Sequence, residues 1–287
     1  MIGRSQLSGL RFFGPAALFF GVFLLLPLIG VVVISLTEWS GFSISSVTWL
    51  GLDNYSELAE DAVFWRTLWQ TLLFVVLSTL GLNVIGFSLA LLISKGIRGH
   101  EFLRIAILLP LAVSPVLAGV VWQKMLGPIG LLNQVLEAFG ADKVAFLGPG
   151  LAFGTLIVVA IWMFTGFNTL LYYAGLQSLP QDRVDAAAVD GAGTRATVRH
   201  VVIPYMRPII AVVVVLNLIG GWKVFDIVFV LTRGGPARQT EMMSTYLYQQ
   251  AFAFGRVGYA SAIAVLIILL AIASALLRGR IHGEGTA

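Results

Sequence analysis

Two charged residues, Lys223 and Asp226, lie within a long apolar run from Ile209 to Leu231. If that run crosses a membrane, each charge costs at least about 2.5 to 3.5 kcal/mol, so each needs a partner or a function. Because they are three residues apart, they can pair on one helix face and lock that helix against a neighbour near the outer interface. Alternatively, one of them faces a water-filled cavity and hydrogen-bonds a ligand. Asn217, earlier in the same run, suits either role.

No catalytic motif accompanies these polar residues. A phosphate-binding loop needs Gly-Lys followed by Ser or Thr, and none of the four lysines follows a glycine. The chain has neither H-E-x-x-H nor G-x-S-x-G, and it has no cysteine, which excludes thiol catalysis and thiolate metal sites. The histidines, which are expected to be solvated, are His100, His200 and His282. The sequence therefore predicts no catalytic residue, no metal site and no ATP site on this chain.

The composition predicts an integral membrane protein. Of the 287 residues, 58% are hydrophobic and only 11% are charged, and the mean hydropathy is +0.93. Since about 20 apolar residues are needed to cross the hydrocarbon core as a helix, we expect an all-α fold with six spans in one domain, 1–287. The spans are expected at 12–36, 69–93, 105–123, 151–173, 209–231 and 259–277. Pro110 and Pro115 are expected to bend the third span.

The distribution of basic residues predicts the orientation of the chain. With the N-terminus in the cytoplasm, 11 of the 18 lysines and arginines lie inside, six lie outside and Lys223 falls within the fifth span. This bias favours cytoplasmic N- and C-termini. The segment 178–208, between the fourth and fifth spans, is then also cytoplasmic.

Segment 178–208 has the pattern of a docking element. Pro180 fits the first turn of a helix, Asp182 and Asp185 place negative charge near its N-terminus, and the alanines that follow are strong helix formers with little bulk. Gly191 or Gly193 is expected to end this helix, and a second short helix is expected from a Thr194 cap to Val202, ended by Pro204. The residues alone leave open whether the segment docks a partner or is a membrane-surface connector.

The stretch DAAAVDGAG, followed by VVIPYMRP, resembles the signature of ABC importer permeases. The matching residues are Asp185, Ala186, Ala187, Gly191, Ile203 and Pro204. The surrounding stretches LQSLP, WKVFD, LTRGGP, YLYQQAF and GYASA are similar to the maltose-type carbohydrate branch of that family. The resemblance implies that the segment is the coupling helix, which docks on an ATPase subunit. Its contacts are expected to include Asp182, Asp190 and Arg195. One departure is Asp185, where the family usually has Glu.

The resemblance also implies a sugar path and a set of partners. The sugar is expected about halfway across the membrane, between the fourth and fifth spans, where this chain presents Trp162, Thr165, Phe167, Asn168, Asn217, Gly221 and Trp222, with Lys223 and Asp226 nearby. The expected partners are a second homologous permease, two ATPase subunits that carry ATP and Mg²⁺, an extracytoplasmic binding protein and membrane lipid, with no nucleic acid. The expected location is the cytoplasmic membrane of a prokaryote.

Three alternatives remain at this point. The same architecture could carry glycerol phosphate or a glycerophosphodiester, with Lys223 meeting the phosphate. An ion-coupled carrier or channel could use Asp226 to relay a proton. A membrane enzyme is the weakest alternative, because no catalytic residues are found.

Overall fold

The computed structural model describes residues 14–96 and 99–282, and the fold over these residues is almost entirely helical. The helices are α1 (Gly14–Ile34), α2 (Asp53–Glu60), α3 (Ala62–Ser94), α4 (His100–Leu108), α5 (Pro115–Met125), α6 (Leu131–Ala138), α7 (Ala152–Gln177), α8 (Gln181–Val189), α9 (Thr194–Trp222), α10 (Asp226–Leu231), α11 (Met243–Tyr248) and α12 (Val257–His282). A two-stranded antiparallel sheet pairs β1 (Thr37–Glu38) with β2 (Thr48–Trp49), so the fold is not purely α-helical.

Five of these helices, α1, α3, α7, α9 and α12, are long and apolar enough to cross a membrane. The sixth predicted span is divided into α4 and α5, whose axes differ by 104°. A short 3₁₀ turn (Leu109–Ala112) follows α4. At the start of α5, the Ser114 hydroxyl oxygen accepts a hydrogen bond from the backbone amide of Leu117. The expected bend at the prolines is confirmed, but a continuous third span is not found.

The fifth span also differs from expectation, because α9 begins earlier and ends earlier than the apolar run. Thr194 is the first helical residue, not a side-chain cap, and Pro204 does not end the helix. The turn Val198–Val202 just before Pro204 widens to a π-helix, and such turns accommodate a residue that lacks a backbone donor. At the other end α9 stops at Trp222, so Lys223 is outside it.

The described residues form two compact units. In one, made from residues up to Trp65 and from Tyr246 to Ile268, the buried Asn54 amide donates to the carbonyls of Ser35 and Thr37 at 2.9 Å each. Asp61 is a second polar centre of this unit, because it accepts hydrogen bonds from the hydroxyls of Tyr246 and Tyr259. These bonds hold α2 and the sheet to the start of α12.

The other unit, from Arg66 to Thr245 with Leu269 onward, contains two apolar clusters. One cluster packs α3, α5, α7 and α10 together through residues such as Leu156, Ile227 and Val228. The second packs α3, α7 and α9 together through Ala90, Tyr172 and Met206. Within this unit, α7 and α9 therefore lie side by side. Segment 178–208 and the candidate path residues belong to these two helices or to the chain next to them.

Candidate functional site

The docking element, residues Gln181–Gly191, is a single exposed helix with a glycine stop. Gly191 has a φ of +77°, its amide donates to the Ala188 carbonyl, and the Ala192 amide donates to the Ala187 carbonyl. This pair of hydrogen bonds around a left-handed glycine is the Schellman motif, which satisfies the last carbonyls of a helix. The sequence left Gly191 and Gly193 open as the end of this helix, and the structure places the end at Gly191.

The polar residues predicted on the docking element face solvent. Asp182 lies in the first turn of α8, where a carboxylate is favoured by the helix dipole. Asp185 is also exposed and accepts a hydrogen bond from the Gln181 side chain at 3.2 Å. Ala186 and Asp190 are exposed, and Val189 is 88% exposed. The exposed Val189 side chain therefore places an apolar surface beside these carboxylates at the end of α8.

The remaining predicted docking residues lie on α9. Arg195 is exposed in its first turn, and Ile203 and Pro204 are exposed two turns further on. The valine side chains of this stretch lie on the opposite face of the helix. Val202 is buried in the cluster that contains Tyr172 and Met206. The first turns of α9 therefore present a basic residue outward and an apolar face inward.

A cavity of about 480 Å³ lies beside the middle of α7 and the C-terminal end of α9. Its walls come from α3, from the junction of α4 and α5, from α7 and α9, and from the break between α9 and α10. The lining residues are Phe74, Ser78, Leu82, Leu111, Pro115, Ala160, Phe164, Phe167, Asn168, Leu216, Asn217, Gly220, Gly221, Lys223, Val224, Phe225, Asp226 and Ile227.

Six of the nine predicted path residues line this cavity, and three do not. The six are Phe167, Asn168, Asn217, Gly221, Lys223 and Asp226. Thr165 donates its hydroxyl to the Ile161 carbonyl at 2.6 Å, and Trp162 stacks edge-on against Trp122. Trp222 is buried and donates from its indole nitrogen to the Ser274 hydroxyl at 2.9 Å. These three side chains are engaged in packing or local hydrogen bonds outside the cavity.

An amide pair joins α7 and α9 at the cavity wall. The Asn217 side chain donates to the Asn168 oxygen at 2.7 Å, and the Asn168 amide donates in turn to the Phe164 carbonyl at 3.1 Å. Asn168 is fully buried, so its orientation is fixed by these bonds. Asn217 is partly buried and borders the cavity with the remaining hydrogen-bonding capacity of its amide.

Lys223 and Asp226 form no ion pair with each other within the part of the chain that the structure describes. The expected bridge on one helix face is not formed, because α9 ends at Trp222 and α10 begins at Asp226, with a bend of three residues between them. Both side chains are exposed and border the cavity. The break in the helix therefore provides the cavity with one ammonium and one carboxylate.

Sequence reasoning missed the contributions of α3 and of the α4–α5 junction to the cavity. Ser78 is one of several polar residues of α3, and Leu111 and Pro115 flank the break in the third span. The two prolines were a usable signal, because backbone breaks at membrane depth occur where protein or a cavity receives the freed polar groups. The other phenylalanines in the wall, Phe74, Phe164 and Phe225, gave no such signal, since phenylalanine is common throughout these helices.

The family of this chain follows from its comparison with known proteins. A family model described as "Binding-protein-dependent transport system inner membrane component" matches residues 83–282. This chain belongs to that family. It is 33% identical to the probable ABC transporter permease protein YurN of Bacillus subtilis over 99% of each protein. It is 34% identical to the trehalose/maltose transport system permease protein MalF of Thermococcus litoralis, over 87% of this chain and 84% of that protein.

Solved structures of this permease family have the same fold. A chain of the bacterial alginate ABC transporter, crystallised in complex with an alginate pentasaccharide-bound periplasmic protein, superposes with a TM-score of 0.84 and 26% identity, covering 99% of this chain and 96% of that one. A chain of the MetNI methionine ABC transporter has a TM-score of 0.55 and 17% identity over 76% of this chain, which shows a likeness of fold alone. The resemblance of the sequence to ABC importer permeases is thus confirmed.

Proposed function

We propose that this chain is the permease subunit of an ATP-driven importer that moves a sugar or oligosaccharide across the cytoplasmic membrane of a prokaryote by alternating access. The observation that carries the proposal is the arrangement of α7 and α9. The middle of α7 and the C-terminal end of α9 line the cavity, and the segment that contains the exposed docking element joins the end of α7 to the start of α9. A partner that displaces the docking element would therefore act directly on the walls of the cavity.

The partner at the docking element is an ATPase subunit. The element offers carboxylates at Asp182, Asp185 and Asp190, a small alanine surface and the uncovered Val189 side chain. Small residues permit close approach of another backbone, and an exposed apolar side chain gains from burial. ATP and Mg²⁺ bind to that subunit, because this chain has no Gly-Lys sequence. A second permease and an extracytoplasmic binding protein complete the complex.

The cavity suits a carbohydrate. Its volume lies in the range of ligand pockets, about 300 to 1,000 Å³. The amide of Asn217 and the aromatic rings of Phe164 and Phe225 line the same cavity, so that hydroxyls and the apolar face of a sugar ring would both find partners. Relatives of this chain are named for trehalose and maltose, for starch degradation products and for xylose and arabinose.

Glycerol phosphate is a weaker candidate for the cavity. Lys223 could meet a phosphate, but the exposed carboxylate of Asp226 borders the same space and would repel a multiply charged anion. An ion-coupled carrier with Asp226 as a proton relay is disfavoured by the similarity of the chain, over almost its whole length, to ABC transporter permeases. A neutral saccharide is compatible with both charged groups, since its hydroxyls can donate to one and accept from the other.

The test is transport by the reconstituted complex. The chain is co-expressed with candidate permease, ATPase and binding-protein subunits from the same genome, and the complex is purified and placed in proteoliposomes that contain ATP. We expect the ATPase subunits to co-purify, and we expect uptake that requires internal ATP and survives a protonophore. Maltose, trehalose and other neutral saccharides should compete for uptake, whereas glycerol 3-phosphate should not.

Two outcomes would contradict the proposal in different ways. If no ATPase subunit co-purifies, or if uptake is lost with a protonophore and persists without ATP, this chain is not a subunit of an ATP-driven importer. If uptake depends on ATP but glycerol 3-phosphate competes and neutral saccharides do not, the assignment as an ATP-driven importer holds and the proposed substrate class is wrong.

A further inference from the structure

Tyr205 connects three elements near the start of α9, the end of that helix remote from the cavity. Its hydroxyl donates to the backbone carbonyl of Ser178, which follows α7, at 2.6 Å. The guanidinium carbon of Arg183, on α8, lies 5.6 Å from the centre of the Tyr205 ring. Tyr205 itself belongs to α9. One side chain thus contacts the end of α7, the docking element and the first turns of α9.

The same two helices are also held together along their length and at the cavity. Gly175 permits close packing of α7 on α9, because a Cβ at this position would lie 2.8 Å from the terminal carbon of Met206. The Asn168 and Asn217 side chains form the 2.7 Å hydrogen bond at the cavity wall. From Tyr205 to Asn217 there are twelve helical residues, a distance of about 18 Å along α9.

These contacts restrict how α7 and α9 can move. A hydrogen bond near the start of α9, another near its end and close packing between them leave α7 and α9 little freedom to slide or separate. Residues 178–193, which include the docking element α8, connect the two helices, and Arg183 on α8 contacts the Tyr205 ring. A displacement of α8 is therefore transferred to both helices together and arrives at the cavity as a movement of Asn168 and Asn217.

We propose that Tyr205 is a positioning residue that holds α7, the docking element and α9 together as one rigid group, so that displacement of the docking element moves the cavity wall. This inference rests on the proposed function, since it assigns to Tyr205 the coupling of ATP hydrolysis to transport. Without the contacts of Tyr205, the docking element can be displaced while α7 and α9 follow only part of its movement. ATP is then hydrolysed without a matching movement of substrate.

The test compares four variants in the reconstituted complex and measures the amount of substrate moved per ATP hydrolysed. Tyr205→Phe keeps the ring and its contact with Arg183 but removes the hydrogen bond to Ser178. We expect a roughly two- to tenfold fall in substrate moved per ATP, the range that corresponds to the net contribution of one hydrogen bond. Tyr205→Leu removes both contacts and should lower the ratio further. Arg183→Gln removes only the cation above the ring and should lower it less than Tyr205→Leu.

Ser178→Ala is the matched control. The Tyr205 hydroxyl is 3.4 Å from the Ser178 hydroxyl, a weak contact, whereas the strong bond is made to the backbone carbonyl that the alanine variant retains. This variant should move as much substrate per ATP as the wild type. The amount of co-purified ATPase and the thermal midpoint of the complex are measured for every variant, because a merely structural role would change these values and leave the ratio intact.

The proposal is overturned if Tyr205→Phe, in an assembled complex, has the same ratio as Ser178→Ala. It is also overturned if Tyr205→Phe lowers ATPase co-purification and the thermal midpoint while the ratio in the remaining complex is unchanged. If the wild-type chain itself binds no ATPase, the failure belongs to the proposed function and not to the role of Tyr205.

Discussion

At the scale of single residues, Gly191 and Gly193 offer a comparison between two glycines that differ in one property. Neither has an atom within 4 Å of the position that a Cβ would occupy, so neither glycine is required by lack of space. Gly191 has a φ of +77°, whereas Gly193 has a φ of −68° and precedes the first residue of α9. Only Gly191 therefore has a backbone conformation that disfavours other residues.

We expect Gly191→Ser to weaken docking of the ATPase, because a left-handed serine costs about 1 kcal/mol or more and the strained stop would misplace the end of α8. The expected effect is a roughly fivefold loss of affinity, measured by titrating the purified ATPase subunit against the permease complex. Gly193→Ser should bind normally, since serine is a favoured residue at the start of a helix. Equal losses in the two variants would refute the role given to the Gly191 backbone.

Asp61 is a second residue with a measurable consequence, in this case for the pH dependence of stability. Burial acts to raise the pKa of Asp61, but hydrogen bonds from Tyr246, Tyr259 and the amides of Phe64 and Val63 outweigh it, so that the net pKa is lowered. A lowered pKa in the folded state means that the charged carboxylate stabilises the fold above about pH 3.9, its unfolded value. This contribution is lost as the pH falls through the folded pKa.

We therefore expect the thermal midpoint of the wild-type complex to fall below about pH 4, and we expect Asp61→Asn to be less stable than the wild type at pH 7. The asparagine variant should also lose part of the dependence on pH in the acid range, because the titrating group is gone. The measurement is a series of thermal unfolding scans from pH 3 to pH 7. Asp142→Asn, at an exposed carboxylate in another loop, is the control and should follow the wild type.

At the scale of elements, the contact between α7 and the broken span depends on one glycine. A Cβ at Gly166 would collide with the carbonyl oxygen of Ile107 and lie 3.5 Å from the Cα of Leu108, so the α4 backbone leaves no room for a side chain. Gly154, in the same helix, has no atom within 4 Å of its Cβ position. The two positions therefore separate the effect of close packing from the intrinsic effect of glycine in a helix.

We expect Gly166→Ala to destabilise the protein by about 1 to 3 kcal/mol, the usual range for overpacking, because a backbone cannot move aside as a flexible side chain can. Gly154→Ala should be neutral or stabilising by up to about 1 kcal/mol, since alanine is the better helix former. Thermal unfolding in detergent, monitored by tryptophan fluorescence, measures both. A stable Gly166→Ala variant would mean that α4 and α7 are not in contact in the folded protein.

The same elements show which parts of the fold could be predicted from the sequence. The long apolar stretches of α3, α7 and α12 predicted their helices well, because hydropathy reports the environment of a segment averaged over about 20 residues. That average does not report backbone breaks. The apolar run that contains Lys223 continues through the break after Trp222, and the run that contains Pro110 continues through a bend of 104°.

The candidate site was predictable to a similar extent. Asn217 and Asp226 were identified because polar residues within apolar runs need a reason to be there, and Asn168 because the family resemblance places the sugar path in its span; all three line the cavity. Thr165 and Trp222 were predicted from the same resemblance but satisfy their polar groups within α7 or through Ser274. Sequence alone could not separate the two cases, since the choice between a local acceptor and a cavity is made by the packing of neighbouring helices.

At the scale of the whole molecule, the broken span decides the orientation of the chain. Among residues 14–96 and 99–282, five continuous helices are long and apolar enough to cross the membrane, and the pair α4 and α5 could supply a sixth crossing or form a re-entrant loop. With six crossings both termini lie on the same side, whereas with five they lie on opposite sides. The basic residues favour the first arrangement, because 11 of 18 then lie in the cytoplasm.

The positions Ser94 and Ala141 distinguish these arrangements, since they lie before and after the pair and both are exposed. The chain contains no cysteine, so a single introduced cysteine reports only its own position. We expect Ala141→Cys to react with a membrane-impermeant maleimide in intact spheroplasts, and Ser94→Cys to react only after the membrane is permeabilised. Both variants should first support uptake, so that labelling reports the functional fold. If both cysteines react from the same side, α4 and α5 form a re-entrant loop, the chain crosses the membrane five times, and the docking element and the N-terminus cannot both be cytoplasmic.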